Sequence, residues 1–199
     1  MSPRRDASGD LLHPCSPTAF EERYRADPDP WDFAGSPAEQ ARYDDLLDVL
    51  GPGPFASAYE PGCSIGVLTS RLAHRCDRLR AVDVSPTAVA RARERCGDRP
   101  GLTLAVASVA DDPTGDHDLV VASEVGYYFA GDELAAVVDR LAGALLPGGT
   151  LLACHWTGHS DDHAVHGTEV HAALGRHPAL DPTAHREGPT YLIDRWRRR

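Results

Sequence analysis

Tyr59-Glu60-Pro61-Gly62-Cys63-Ser64-Ile65-Gly66-Val67-Leu68 is the stretch whose reading decides the fold. Ala56 to Glu60 reads as a short buried strand. Gly62 and Gly66 permit a tight turn with close backbone approach, and Ile65, Leu68 and Leu72 then recur at helical spacing. The product is a strand, a turn and a helix. In a doubly wound α/β sheet, such a turn is where a nucleotide-like cofactor meets the exposed amides of a helix N-terminus.

Spacing helps to separate the two cofactor classes that use this geometry. A dinucleotide fold wants G-x-G-x-x-G, whereas this turn runs Gly62-Cys63-Ser64-Ile65-Gly66 with Glu60 two places before the first glycine. The fit to a pyrophosphate is poor. Asp83 closes the next apolar run, Leu79-Arg80-Ala81-Val82, where a carboxylate suits the paired hydroxyls of a ribose in either class.

Upstream, residues 1–17 read as a disordered lead, and Thr18 to Arg25 as a short helix before the extended Asp27-Pro28-Asp29-Pro30. Ser36-Pro37-Ala38-Glu39 has the form of a capping box. The helix it starts carries Tyr43, Leu46, Leu47 and Leu50 on one face and ends at Gly51-Pro52. This unit, 18–54, is either a lid over the cofactor or a joint filled by Trp31, Phe33 and Tyr43.

Downstream, Ser85-Pro86 starts a helix that ends near Cys96-Gly97, and Leu102 to Val109 is a third strand. His117 to Ala122 is a fourth, running into Ser123-Glu124-Val125-Gly126-Tyr127-Tyr128. Leu134, Val137, Val138, Leu141 and Leu145 stripe a helix over Asp132 to Leu146, which Pro147-Gly148-Gly149 stops before a fifth strand, Thr150 to His155. A helix near Thr168 to Leu174 and a strand pair within Ala179 to Trp196 complete the chain, with Arg197-Arg198-Arg199 as a solvated end. Alternating strands and helices with short connections predict a parallel sheet with helices on both faces. One domain is expected over 18–199, with the cofactor core at 55–156 and an acceptor-side segment at 157–199.

The chain has 199 residues, 42% of them apolar, enough for one core. Its formal charge of -10 opposes a nucleic-acid backbone as the main partner. All 20 basic residues are arginine. Five cysteines without close pairs read as reduced thiols, and Arg4-Arg5 precedes no long apolar segment. A soluble cytoplasmic protein without a membrane partner is expected. The histidines at 155, 159, 163 and 166, with Asp161 and Asp162, raise a metal alternative, but Gly158 and Ser160 favour a loop and no metal is expected.

Asp29-Pro30-Trp31, Glu39-Gln40-Ala41-Arg42-Tyr43, Glu60-Pro61-Gly62-Cys63, Ser123 to Tyr128 and Leu146-Pro147-Gly148-Gly149 together resemble the class I S-adenosylmethionine (SAM) methyltransferases. Within them the chain is similar to the bacterial NodS-like nodulation N-methyltransferases. The resemblance implies a Rossmann-like seven-stranded sheet in the order 3-2-1-4-5-7-6 with one antiparallel strand. It implies SAM held by Glu60, Gly62 and Gly66, with Asp83 on the ribose, and cofactor contacts from Trp31, Tyr43, Cys63, Val84, Ser108, Val109 and Ser123. Ser108 stands where many relatives carry the aspartate that reaches the adenine, with Asp111 as an alternative. The implied acceptor is the free amine of a deacetylated glucosamine unit in an oligosaccharide. A hydroxyl of a small secondary metabolite is the alternative acceptor, and a non-catalytic SAM-binding module the alternative class.

An amine must be neutral to attack a sulfonium methyl, so the acceptor edge needs a group that binds the ammonium and one that takes its proton. Glu124, after strand four, is expected to orient the acceptor, and His155, at the end of strand five, to assist proton removal. Tyr127, Tyr128 and Trp156 are expected to shape the pocket. A sulfonium cation also gives the aromatics of a lid a reason to be there.

Overall fold

The computed structural model describes residues 15–112 and 115–199, so most of the lead expected over 1–17 lies outside the described residues. Helices α1 (Pro17–Ala26) and α2 (Pro37–Leu50) precede an alternation of β1 (Ala58–Pro61), α3 (Val67–Leu72), β2 (Leu79–Asp83), α4 (Pro86–Cys96) and β3 (Leu102–Val106). Then come β4 (His117–Ser123), a 3-10 turn (Gly126–Tyr128), α5 (Gly131–Gly143), β5 (Leu145–Trp156), α6 (Gly167–Arg176), β6 (Leu180–Glu187) and β7 (Tyr191–Arg198). The seven strands form one sheet in the order β3-β2-β1-β4-β5-β7-β6. β7 runs antiparallel to both neighbours, and the pairs among β1 to β5 are parallel.

All four residues of β1 are buried, as befits a central parallel strand covered on both faces. One apolar cluster joins α2 and α3 to the sheet through Leu46, Leu72, Leu119 and Ile193. The other packs α5 and α6 on the opposite face through Val137, Leu141, Leu174 and Trp196. Burying both faces is what makes the alternation of strand and helix stable.

Three local expectations are corrected. Ser36 caps α2 by accepting the Glu39 N–H, but the Glu39 carboxylate pairs with Arg42 rather than reaching back to close a box. A reciprocal box forms instead at α6, where His166 Nδ1 accepts from the Thr168 N–H (3.4 Å) and Glu169 Oε1 from the His166 N–H (2.9 Å). Leu145 belongs to β5, not to the helix: it pairs with His117, and a register shift before Leu119 absorbs the Pro-Gly-Gly segment inside the strand. The arginine tail is not a solvated end, because Arg197 and Arg198 pair with Thr150 and Leu180 in the sheet, and Arg199 bridges Asp181 at 2.6 Å.

Candidate functional site

β1, β2 and β4 end at one edge of the sheet, and a cavity of about 450 Å³ opens above their carboxyl ends. Glu60 and Asp83 reach it from neighbouring strands. Glu60 is 2% exposed, and its Oε2 has no hydrogen-bond partner among the described residues. Burial pushes its carboxyl up to about 8; the nearby Thr69 hydroxyl pulls against this and the Asp83 charge adds to it. Asp83 is 7% exposed, and its two oxygens accept from the Ser64 and Ser85 N–H groups, both at 2.9 Å. Burial lifts it to about 6, with those backbone donors pulling the other way. Each Asp83 oxygen keeps a lone pair for a further donor, so two carboxylates with unspent acceptor capacity converge on one concavity.

Gly62, at φ +74°, lines this cavity, and a Cβ there would stand 3.2 Å from that of Val125. Gly66 does something else. At φ +80° it lets the start of α3 close on α4, where an added Cβ would lie 2.9 Å from the Ala92 Cα; it packs helices and does not line the cavity. Gly66→Ala is therefore expected to cost roughly 2–4 kcal/mol through a left-handed backbone and overpacking. A denaturant midpoint unchanged from wild type would contradict this.

On the acceptor side, Glu124 sits at φ +56°, in a left-handed backbone region that non-glycine residues seldom adopt. Its Oε1 accepts from the Trp156 N–H (2.7 Å) and pairs with Arg42 (2.6 Å), and its Oε2 accepts from the Tyr127 hydroxyl (2.6 Å). Arg42, 3% exposed, lies between Glu124 and Glu39. Burial works against its charge, but Glu124 and other acidic groups around it, including Glu39, outweigh this and hold it well above the ordinary arginine range.

His155 does not reach the cavity, against the expectation that it takes a proton there. It is 0% exposed, its Nε2 accepts the Gly126 N–H at 3.0 Å, and its Nδ1 lies 3.1 Å from His171 Nε2. His171 Nδ1 in turn lies 2.6 Å from Asp194. Accepting from Gly126 puts the His155 proton on Nδ1, so the ring pins the Gly126–Tyr128 turn from behind. Burial and the neighbouring His171 push His155 well below its ordinary range, so it stays neutral.

Trp31, Tyr43, Cys63, Val84, Ser108, Val109, Ser123, Tyr127, Tyr128 and Trp156 all line the cavity, whereas Asp111 is exposed away from it, leaving Ser108 beside the third strand. In the N-terminal unit, Trp31 packs against Phe20, Tyr24 and Phe33, and the same group forms a cavity wall. α1 is fastened over the glycine turn. Tyr24 donates to Ser64 Oγ at 2.6 Å, and Glu21 accepts from Ser85 and Thr87 at the α4 N-terminus. Burial opposes ionisation of Glu21, but the Ser85 and Thr87 donors win and draw it down to about 2. Phe20, Tyr24, Arg42 and His163 were not anticipated; Phe20 and Tyr24 stand four apart on α1, a spacing that marks one helical face.

Among the described residues, no three His, Cys, Asp or Glu side chains come together as a metal set, and no helix is long and apolar enough to cross a membrane.

The strand order and the carboxylate-flanked crevice at its switch point define a class I methyltransferase fold. The family described as Nodulation protein S (NodS) matches residues 18–163, and the chain belongs to that family. It is 38% identical over 128 residues to a nodulation protein S of Rhizobium tropici, covering 62% of this chain and 53% of that protein. It is 36% identical over 129 residues to that of Sinorhizobium fredii, covering 62% and 59%. The chain thus spans less than two thirds of the length of these relatives. The N-methyltransferase NodS from Bradyrhizobium japonicum WM9, solved in complex with S-adenosyl-L-homocysteine, superposes with a TM-score of 0.79 at 27% identity, covering 92% of this chain and 98% of that one.

Proposed function

We propose that this chain is a SAM-dependent N-methyltransferase acting on a primary amine of an amino sugar or oligosaccharide. The observation that carries the reading is Glu60: a buried carboxylate with an unpartnered oxygen, beside Asp83, facing a cavity at the switch point of the sheet. Such an oxygen is costly unless a ligand supplies a donor or a positive charge. The kinship with an N-methyltransferase that holds S-adenosyl-L-homocysteine supports the same ligand class here.

SAM, when bound, supplies an electrophilic methyl on a sulfonium. Glu60 would hold the cofactor's amino-acid end, Asp83 its ribose hydroxyls and Ser108 the adenine edge. α1 and Trp31 would act as a lid that excludes water, with the Arg23–Asp162 ion pair (2.6 Å) tying α1 to the loop 157–166. Glu124 would orient the acceptor ammonium through the capacity left on Oε2, while Tyr127, Tyr128 and Trp156 give the pocket its shape. The buried thiols Cys63 and Cys154 favour a reducing, cytoplasmic setting.

Glu124→Gln removes the carboxylate charge and keeps the shape, so kcat is expected to fall about 10- to 100-fold while S-adenosylhomocysteine affinity changes little. Steady-state kinetics with a glucosamine oligomer, beside calorimetry, checks this. Unchanged turnover removes Glu124 from its role.

A further inference from the structure

The proton that an attacking amine must lose needs a destination, and His155 does not offer one. The loop 157–166 does. It carries His163 into the cavity wall, with its ring stacked on that of Tyr127, centroids 3.8 Å apart and planes within 16°. Tyr128 and Trp156 meet the same ring edge-on at 5.6 and 5.9 Å. Backbone bonds hold it there: the His163 N–H donates to the Ser160 carbonyl (3.1 Å), and the Ala164 and Val165 N–H groups donate to the Tyr127 carbonyl (2.8 and 3.2 Å).

Neither ring nitrogen of His163 hydrogen-bonds another side chain among the described residues. The acidic groups nearby already hold donors, and the acceptor site left on Glu124 Oε2 serves to bind the ammonium rather than to take its proton. Glu39 pairs with Arg42, Glu124 takes three donors, and Asp162 pairs with Arg23 and accepts from Ser160. Among the described residues, His163 is therefore the imidazole on the acceptor side with ring nitrogens free to take a proton, and it is half-buried, with an exit to solvent for whatever it takes up.

Resting on the N-methyltransferase reading, we propose that His163 is the catalytic base: it removes a proton from the acceptor ammonium and so frees the lone pair that attacks. The balance is simple. The ammonium gives one proton to an imidazole nitrogen, leaving a neutral amine and an imidazolium. The carbon–nitrogen bond forms as the carbon–sulfur bond breaks, and the sulfur keeps the bonding pair. The product is a secondary ammonium with two protons on nitrogen, and the imidazolium passes its proton to water.

The surroundings suit both states of the ring. Burial holds His163 below its ordinary range, with His159 and His166 acting the same way and Asp162 and Glu124 opposing them, so the ring is neutral and ready at pH 7. Arg23 offsets Asp162 through their ion pair, and the Tyr127 face and the Glu124 charge behind it favour the imidazolium once formed. Tyr127 thus stands between the group that orients the ammonium and the group that deprotonates it.

The test uses the full chain with His163→Ala and His163→Gln, SAM, and a panel of N-deacetylated chitooligosaccharides and simple amines. The expected result is a drop in kcat/KM of about 100-fold at pH 7 in both variants. In them the acid limb of the wild-type profile leaves the His163 midpoint and follows the acceptor amine's own ionisation at higher pH, and added imidazole partly restores turnover by His163→Ala. Two readouts do not depend on turnover. Ring-nitrogen NMR of the wild type should show His163 titrating with the midpoint of that acid limb, and both variants should keep the wild-type thermal shift with S-adenosylhomocysteine. A variant that keeps the rate and the limb, or a ring already protonated at pH 7, overturns the base while the methyltransferase reading stands. A wild type that shows no shift with S-adenosylhomocysteine brings down that reading and the base together. A wild type that binds it but methylates no amine overturns the base and its amine acceptor.

Discussion

Glu60→Gln is expected to raise the melting temperature of the ligand-free protein at pH 7 by about 10 °C and to abolish the further rise that S-adenosylhomocysteine brings to the wild type. Burial pushes the Glu60 carboxyl from 4.5 up to about 8. The folded state therefore holds a proton that the unfolded chain gives up, and stability falls as pH rises from about 4.5 to about 8. Glutamine has the shape without the titration. The gain should be absent below about pH 4.5 and complete above about pH 8, worth about 3 kcal/mol at neutrality, which in a chain of this size is about 10 °C. The loss of ligand response follows from the same atom, since an amide cannot offer a full negative charge to a cationic ligand group. Melting curves across pH 4 to 9, with and without ligand, separate the two effects. A variant less stable than wild type at pH 8 contradicts the assignment of strain to Glu60.

Arg42→Met is expected to be severely destabilising, by about 3–5 kcal/mol, because it leaves two carboxylates facing each other without the cation between them. For a chain of this size that is a fall of about 10 °C or more in melting temperature. Glu39 is already pushed up by burial and by the Glu124 charge, with Arg42 opposing. In the variant, stability should therefore recover as pH falls through the carboxylate range, when one of the two is neutralised. Adding Glu124→Gln to Arg42→Met should restore part of the loss at pH 7, the non-additivity expected of groups in one network. Arg42→Lys should not substitute, since a point charge on a flexible stem cannot fork between two carboxylates. A single variant with wild-type stability at pH 7 would show that the buried network is not needed.

What the sequence disclosed and what it hid divide along the range of the interactions. The glycine turn, the Ser85-Pro86 cap and the α5 stripe were legible because each is set within a few residues. The start of β5 was not: Leu145 continues the helical period of α5, and only its pairing with His117 across the sheet removes it from the helix. His155 misled for a geometric reason. Successive residues of a strand face opposite sides, so when Trp156 lines the cavity His155 must face α6, and which of the two points inward depends on a register that sequence does not carry. His163 was visible only as one of several histidines in a polar loop, because its stacking on Tyr127 joins segments far apart in the chain. The role of Arg42 is hidden in the same way, since its partner Glu124 lies on a distant element.

The convergence of Glu60 and Asp83 on one ligand is the centre of the account, and a crystal structure of the chain grown with saturating S-adenosylhomocysteine tests it most directly. The expected map places the ligand above the carboxyl ends of β1 and β2, with Glu60 and Asp83 each within hydrogen-bond distance and Gly62 against it. Ligand bound elsewhere, or a cavity without it at saturation, would contradict the account.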